Sequence, residues 1–387
     1  MEARITLLLN DRMCNFDCIY CYARHDHRKR QKAAAKPMTD FHAIDYLYER
    51  KIEQAASYGE KCLINTTFWG GEPFFNPHLR NAVEYIRGKF GGNFFAVTNG
   101  SLITDRLADW LIDKHFHVNI SNDLAYQEQQ RGCQYLDMPE HSHAVARLCK
   151  AGLVGAVQTV LSRKSPDLML QLAYLRAWAE KEGLSEDETP ALSFLPVKAY
   201  SEEAVPLLFT EEPGDEASAA MVQSLRAYAL EALQHPESHV LGPFYKTQLR
   251  NAYLGLTRSW NHADLFVKGD NMPIISCAIF KGDHCFDLTG REWNCPHPFE
   301  RDPDHPVILK PEPEPVCGRC MYMGQCNAVC IAAGHEARMR ACGSLKLFYR
   351  TIREVLYENS DEEMRREYAP ECVADLRVAL AGDKPGA

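Results

Sequence analysis

The chain has 387 residues, enough to bury a large core and, by length, roughly two or three domains. Its composition, 46% hydrophobic and 25% charged, is ordinary for a water-soluble globular protein, and no apolar run approaches the ~20 residues that span a bilayer. A net charge of −9 argues against nonspecific binding to nucleic acid or anionic membranes, and Arg4 to Leu9 is too short and wrongly flanked for a signal peptide, so the chain reads as cytoplasmic.

In chain order, Ile5 to Leu9 reads as a buried first strand, followed directly by the loop Cys14-Asn15-Phe16-Asp17-Cys18-Ile19-Tyr20-Cys21. The basic run Arg24 to Lys36 reads as a solvated loop. Thr39-Asp40 offers an N-cap to a helix running to about Ala56. A strand at Lys61–Trp69 ends in Gly70-Gly71-Glu72-Pro73, and a helix near Asn76–Gly88 leads to a third strand and turn at Phe94–Gly100. The alternation continues with a helix at Thr104–Lys114, a strand at Phe116–Ser121, a helix near Glu140–Ala151 and a strand at Leu153–Leu161. A helix at Pro166–Glu182 and a sixth strand at Leu192–Val197 complete it. Six strand–helix units in succession predict an α/β fold, a parallel sheet with helices outside, curved into an incomplete barrel. Such folds bind ligands at the C-terminal ends of their strands, where the cysteine loop, Gly70–Pro73, Asn99-Gly100 and Ser121–Asp123 all fall.

From about Ala199 the pattern turns helical and polar, with a break at Glu211–Asp215. The chain then enters a region with eight of its fifteen cysteines, from Cys277 to Cys342. A helix over Ser344–Glu358 and a shorter one to about Leu380 follow it. In a reducing compartment such clustering points to metal rather than disulfides. The isolated Cys62, Cys133, Cys149 and Cys372 read as small buried hydrophobes.

Cys14, Cys18 and Cys21, with gaps of three and two residues, could hold three corners of a cubic iron–sulfur cluster and leave the fourth iron open. The competing reading is a structural zinc loop completed by His25 or His27. With aromatic Tyr20 before the last cysteine, the loop resembles the signature of the radical S-adenosylmethionine (radical SAM) family. The resemblance implies a partial (β/α)6 TIM-like barrel and an open iron that chelates the amine and carboxylate of SAM. It also implies site roles: Gly70, Gly71, Glu72 and Pro73 for the methionine amine, with Glu72 as the charged contact, and Asn99 at the neighbouring strand end. Ser121 and Asp123 would hold the ribose, Arg131 the carboxylate, and Tyr20 would back the adenine. A simple turn at Gly70–Pro73 and a capping Ser121/Asp123 pair are the competing readings.

Cys277, twelve residues, Gly290, four residues, Cys295, then Cys317, Cys320, Cys326, Cys330 and Cys342, resemble the SPASM domain, a C-terminal extension of many radical SAM enzymes. The resemblance implies two further 4Fe–4S clusters, three in all. Cys277, Cys295 and Cys330 would hold the first, and Cys317, Cys320, Cys326 and Cys342 the second. Gly269 to Ser276 lacks the upstream cysteine of some relatives, and Cys285 is the available substitute; without it the first auxiliary cluster has an open iron. Phe286–Trp293 turns at Thr289-Gly290 and predicts a β-hairpin presenting Cys295. Sulfatase-maturating relatives carry an acidic base soon after that cysteine; here the run is Pro296-His297-Pro298, and His297 is the candidate catalytic base, a structural histidine being the alternative.

The expected organisation is a barrel over 1–200, a helical bridge over 201–268, a SPASM domain over 269–345 and C-terminal helices over 346–387. The implied function is an oxidative peptide maturase forming a carbon–carbon or thioether cross-link, with electron loss to the auxiliary clusters. Its partners would be a precursor peptide, a reductant such as flavodoxin or ferredoxin, and a separate leader-recognition protein, since no recognition domain fits before Ile5. A formylglycine-forming enzyme, a small-molecule dehydrogenase and a noncatalytic electron-transfer module are the alternatives. Gly70–Pro73 speaks against the last, which has no use for a SAM amine site.

Overall fold

Strict alternation governs the first half of the chain. In Leu63–Trp69, Asn93–Thr98 and Phe116–Ser121 every second residue is buried and its neighbours are half-buried or exposed. Phe68, Phe94 and Phe116, one from each of three successive strands, fall on the buried side and stack with ring centroids 5.8–6.2 Å apart. Trp110 packs on the same layer at 5.7 Å from Phe116. That aromatic layer is the seam between the sheet and the helices covering it.

The structure, a computed structural model, describes residues 2–8, 14–21, 41–59, 61–197, 202–242, 285–287, 292–293 and 335–359. Its elements are β1 (Glu2–Leu8), α1 (Asp45–Ser57), β2 (Leu63–Trp69), α2 (Leu79–Phe90), β3 (Asn93–Thr98), α3 (Asp105–Asp113) and β4 (Phe116–Ser121). There follow α4 (Gln127–Arg131), α5 (Pro139–Lys150), β5 (Val154–Leu161), α6 (Leu168–Lys181), β6 (Ala191–Pro196), α7 (Glu216–Gln234), β7 (Cys285–Asp287), β8 (Glu292–Trp293) and α8 (His335–Asn359). The sheet order is β6-β5-β4-β3-β2-β1-β7-β8. Strands β1 to β5 pair in parallel, each with its successor, as the expected α/β partial barrel requires.

The expected hairpin is present, β7 and β8 being antiparallel. β7 also pairs in parallel with β1, setting Asp287 level with Leu8, which is level with Trp69 of β2.

Three local departures have physical reasons. The first helix is entered through a 3-10 turn, Phe41–Ile44, and α1 begins at Asp45 without a side-chain cap. Asp45 puts a carboxylate in the first turn, where the helix dipole favours it; Thr39 and Asp40 lie outside the described residues. The last helix starts at His335, nine residues before Ser344, and runs through Cys342 and Gly343. Gly343 reads as a breaker, but an interior glycine costs only about 1 kcal/mol and the preceding Glu336–Ala341 favours helix. The segment after β4 also holds more structure than expected: 3-10 turns at Leu124–Tyr126 and Tyr135–Asp137 flank the short α4.

The chain divides into two compact units, with the boundary inside β5. Unit one is Met1–Thr159, Tyr174–Pro190 and Lys281–Glu300. Unit two is Val160–Ala173, Ala191–Phe280 and Arg301–Ala387. Within unit two, Phe194 of β6 meets Tyr228 of α7 and Phe348 of α8 edge-on at 5.2 and 6.1 Å. Arg226 of α7 reaches Glu354 and Glu358 of α8. No helix among the described residues is long and apolar enough to cross a membrane.

Candidate functional site

The C-terminal ends of β2, β3 and β4, Thr159 of β5 and the cysteine loop build polar networks within unit one. The first centre is Glu72. Gly70 and Gly71 take positive φ of 91° and 58°, a conformation that favours glycine. They turn the chain so that Glu72 caps the 3-10 helix Pro73–Phe75. The carboxylate is fully buried. It accepts hydrogen bonds from Phe74 N at 3.1 Å, the Thr98 hydroxyl at 2.7 Å and Asn99 N at 2.7 Å. All three donors are neutral, and burial pushes the carboxyl up to about 7. Glu72 thereby ties the exit of β2 to the exit of β3.

Asn99 passes that order on to the cysteine loop. Its Nδ2 donates to Asn15 Oδ1 at 2.8 Å and to Cys14 Sγ at 3.6 Å, while its Oδ1 accepts from Ser101 N and Oγ. Asn15 closes the ring by donating to Ser101 Oγ at 2.8 Å. Phe16 N also points at Cys14 Sγ, at 3.5 Å. Burial pushes the Cys14 thiol up to about 11 and raises Cys18 as well, so both favour the neutral thiol until a metal binds.

The second centre is Asp123, also fully buried. Arg131 holds it with Nε at 2.8 Å and Nη2 at 3.3 Å, Thr159 of β5 donates at 3.2 Å, and the Tyr20 hydroxyl donates from the cysteine loop. The Arg131 guanidinium lies over the Tyr20 ring, 5.3 Å from its centroid. The Asp123 amide donates to Gln127 Oε1 at 2.8 Å, and Ile19 N donates to the Gln130 carbonyl at 3.0 Å. Thr98, Thr159, Gln130, Asn15 and Ser101 were not singled out from the sequence; the adjacency of Asn15 to Cys14 and of Thr98 and Ser101 to Asn99-Gly100 is the signal that could have found three of them.

Residues 12–160 match the family described as the Radical SAM superfamily. Over those residues, fewer than half of the chain, it is similar to that superfamily. An uncharacterized protein of Methanocaldococcus jannaschii is 30% identical over 114 residues, a match that spans 28% of this chain and 35% of that protein. Among solved structures, "Native anSMEcpe with bound AdoMet and Cp18Cys peptide" superposes with a TM-score of 0.55 at 12% identity, covering 99% of this chain and 100% of that one. "Native anSMEcpe with bound AdoMet" gives 0.57 at 13% identity, covering 92% and 98%. Those likenesses show the fold.

The family implies an enzyme with a 4Fe–4S cluster and SAM, and the residues present fit that pair. Cys18 and Cys21 are drawn together by a turn, with Cys21 N donating to Cys18 O at 3.0 Å. Amide donors of Phe16 and Asn99 face Cys14, as a thiolate ligand needs. Among the described residues no three His, Cys, Asp or Glu side chains are gathered closely enough to hold one ion; His25 and His27 of the zinc reading lie outside those residues. Of the residues expected at the site, the hydrogen-bond network links Glu72, Asn99 and Cys14 on one side and Tyr20, Asp123 and Arg131 on the other, with Cys18 and Cys21 on the same loop. Ser121 ends β4, half-buried, beside Asp123. Cys342 lies in α8, and Cys285 opens β7, level with Thr6. Cys277, Cys295, Cys317, Cys320, Cys326, Cys330 and His297 lie outside the described residues.

Proposed function

We propose that this radical SAM enzyme is a peptide maturase that installs an oxidative carbon–carbon or thioether cross-link in a ribosomally made precursor. The observation that carries the reading is the pairing of the radical SAM domain with the seven-cysteine SPASM-like pattern from Cys277 to Cys342. Support for a peptide comes from the end-to-end likeness to anSMEcpe, a protein whose structure holds AdoMet and the Cp18Cys peptide. The cluster and SAM would supply a 5′-deoxyadenosyl radical that takes hydrogen from a substrate carbon. Cys14, Cys18 and Cys21 would hold the cluster, and Gly70–Pro73 would receive the methionine amine. The auxiliary clusters would rest on Cys277, Cys295, Cys330 and Cys285 and on Cys317, Cys320, Cys326 and Cys342. They would accept the electron lost on bond formation, their potentials being set by charge and exposure. A flavodoxin or ferredoxin would reduce the first cluster, a separate protein would present the leader, and the reaction would proceed in the cytoplasm, with His297 a candidate base.

Anaerobic reconstitution with dithionite and SAM tests the radical step; clusters without 5′-deoxyadenosine would sink it. Co-expression with any small open reading frame encoded beside the gene, followed by mass spectrometry, tests the substrate. Loss of two hydrogens without a hydrazide-reactive aldehyde is expected. A reactive aldehyde would favour the second reading, formylglycine formation, for which the same likeness to anSMEcpe speaks.

A further inference from the structure

Tyr20, Asp123 and Arg131 would, by family resemblance, touch three different parts of SAM. In the structure they touch one another. Only Ile19 and Tyr20 lie between Cys18 and Cys21, and both are fixed to the segment after β4, Ile19 through its amide on Gln130 O and Tyr20 through its hydroxyl on Asp123. Arg131 is 9% exposed and commits Nε and Nη2 to Asp123 while covering a face of the Tyr20 ring. A guanidinium this buried needs a paired anion, and a forked, two-nitrogen contact is its strongest form. Thr159 and the Gln127 side chain fix Asp123 from behind, so the carboxylate is a rigid post.

We propose that Tyr20, Asp123 and Arg131 form a staple that positions the Cys18–Cys21 turn for its cluster, and that Arg131 serves this loop rather than the carboxylate of SAM. The proposal rests on the radical SAM reading. Asp123 neutralises Arg131 and anchors the Tyr20 hydroxyl, while the cation beside Cys18 offsets the negative charge that thiolates bring. With Nε and Nη2 committed to Asp123 and the guanidinium only 9% exposed, a SAM carboxylate would be left at most Nη1 and the second Nη2 hydrogen.

The decisive measurement is cluster lifetime without SAM, since a residue whose role is to contact SAM moves nothing there. Wild type, Tyr20→Phe, Asp123→Asn and Arg131→Lys would be reconstituted anaerobically, and cluster loss to an iron chelator followed by absorbance. Tyr20→Phe removes one hydroxyl from a half-buried ring and keeps the fold, which circular dichroism checks. The staple predicts that Tyr20→Phe and Arg131→Lys shorten the lifetime by roughly threefold to tenfold, the worth of one or two such hydrogen bonds. It also predicts opposite shifts of the cluster's reduction potential, upward in Asp123→Asn and downward in Arg131→Gln, with SAM affinity per loaded cluster unchanged in Arg131→Lys. A wild-type lifetime in Tyr20→Phe and Arg131→Lys overturns the proposal, as does a full, stable cluster in Arg131→Lys with SAM binding at least about tenfold weaker, a difference of ~1.4 kcal/mol. Failure of the radical SAM reading shows separately, as wild type that takes up no cluster.

Discussion

Glu72 and Asp123 are both carboxylates with no exposed surface, both at strand ends, and both one step from a cysteine of the same loop. They are satisfied in different ways. Glu72 accepts, among its contacts, from two amides and a hydroxyl of the described residues, all neutral. Asp123 faces a guanidinium: burial disfavours the Arg131 charge, but the Asp123 carboxylate more than offsets it and drives the Arg131 pKa upward. Neutral donors hold a buried carboxylate in place but leave its charge poorly compensated, so Glu72 is pushed up to about 7. A paired cation fixes both charge and geometry, at the cost that neither partner can be removed alone. The Cys14 end of the loop is therefore ordered by a hydrogen-bond ring and the Cys18–Cys21 end by an ion pair.

Breaking the ion-paired side should have the largest effect. Asp123→Ala strands Arg131 as a buried cation and also frees Tyr20 and Thr159, and should lower stability by about 3–5 kcal/mol in urea unfolding. Asp123→Ala combined with Arg131→Met, which removes both charges, should recover a large part of that loss.

Gly100 offers a steric test of the ground between the two centres. Its φ is +78°, and a Cβ there would lie 2.3 Å from the Tyr135 hydroxyl and 3.1 Å from Ile120. Gly100→Ala should cost about 2–4 kcal/mol from backbone strain and overpacking. Among the described residues no hydrogen bond of good geometry reaches the buried Tyr135 hydroxyl, Asn122 being the polar side chain beside it, so adding Tyr135→Phe should restore part of the stability at little cost of its own, which a double-mutant cycle would register.

Much of this was legible in the sequence. Strands β2 to β4 announce themselves because β-branched and aromatic residues dominate them and glycine or asparagine turns follow. Cys14, Cys18 and Cys21 stand out by spacing, whereas Gly70–Pro73 reads as a turn until the family resemblance gives it a role. The segment 122–138 did not, because short 3-10 turns and a five-residue helix leave no period to detect. For that reason Asp123 and Arg131 read as two separate contacts: nothing in the one-dimensional order says that a residue eight places on folds back on the first. Likewise β7 read as part of a downstream domain, since a strand pairing with β1 across some 280 residues of chain has no local signature.

The neutral-donor side makes a pH prediction. With the folded carboxyl near 7 and the unfolded one near 4.5, the folded state holds the extra proton between those values. The stabilising contribution is thus whole below about pH 4.5 and is lost as pH rises through about 7, with an upper bound of roughly 3 kcal/mol. Glu72→Gln should flatten this part of the stability–pH curve in urea titrations from pH 5 to 8. It should also lower stability throughout, because the amide nitrogen faces donors where an oxygen stood.

The smallest effect is expected where charge is most plentiful. Arg147 of α5 bridges Asp105 and Asp109 of α3, a contact that looks on paper like the Arg131 pair. Asp105 and Asp109 are 59% and 64% exposed, however, against 0% for Asp123. In water both aspartates stay hydrated without the arginine, so nothing is stranded when it goes. Arg147→Ala should therefore cost under about 1 kcal/mol, and the loss should shrink further at high salt. A thermal unfolding series in rising salt reads this directly. If Arg147→Ala instead matched Asp123→Ala, burial would not be what separates the two ion pairs, and the distinction between the two anchors of the cysteine loop would lose its physical basis.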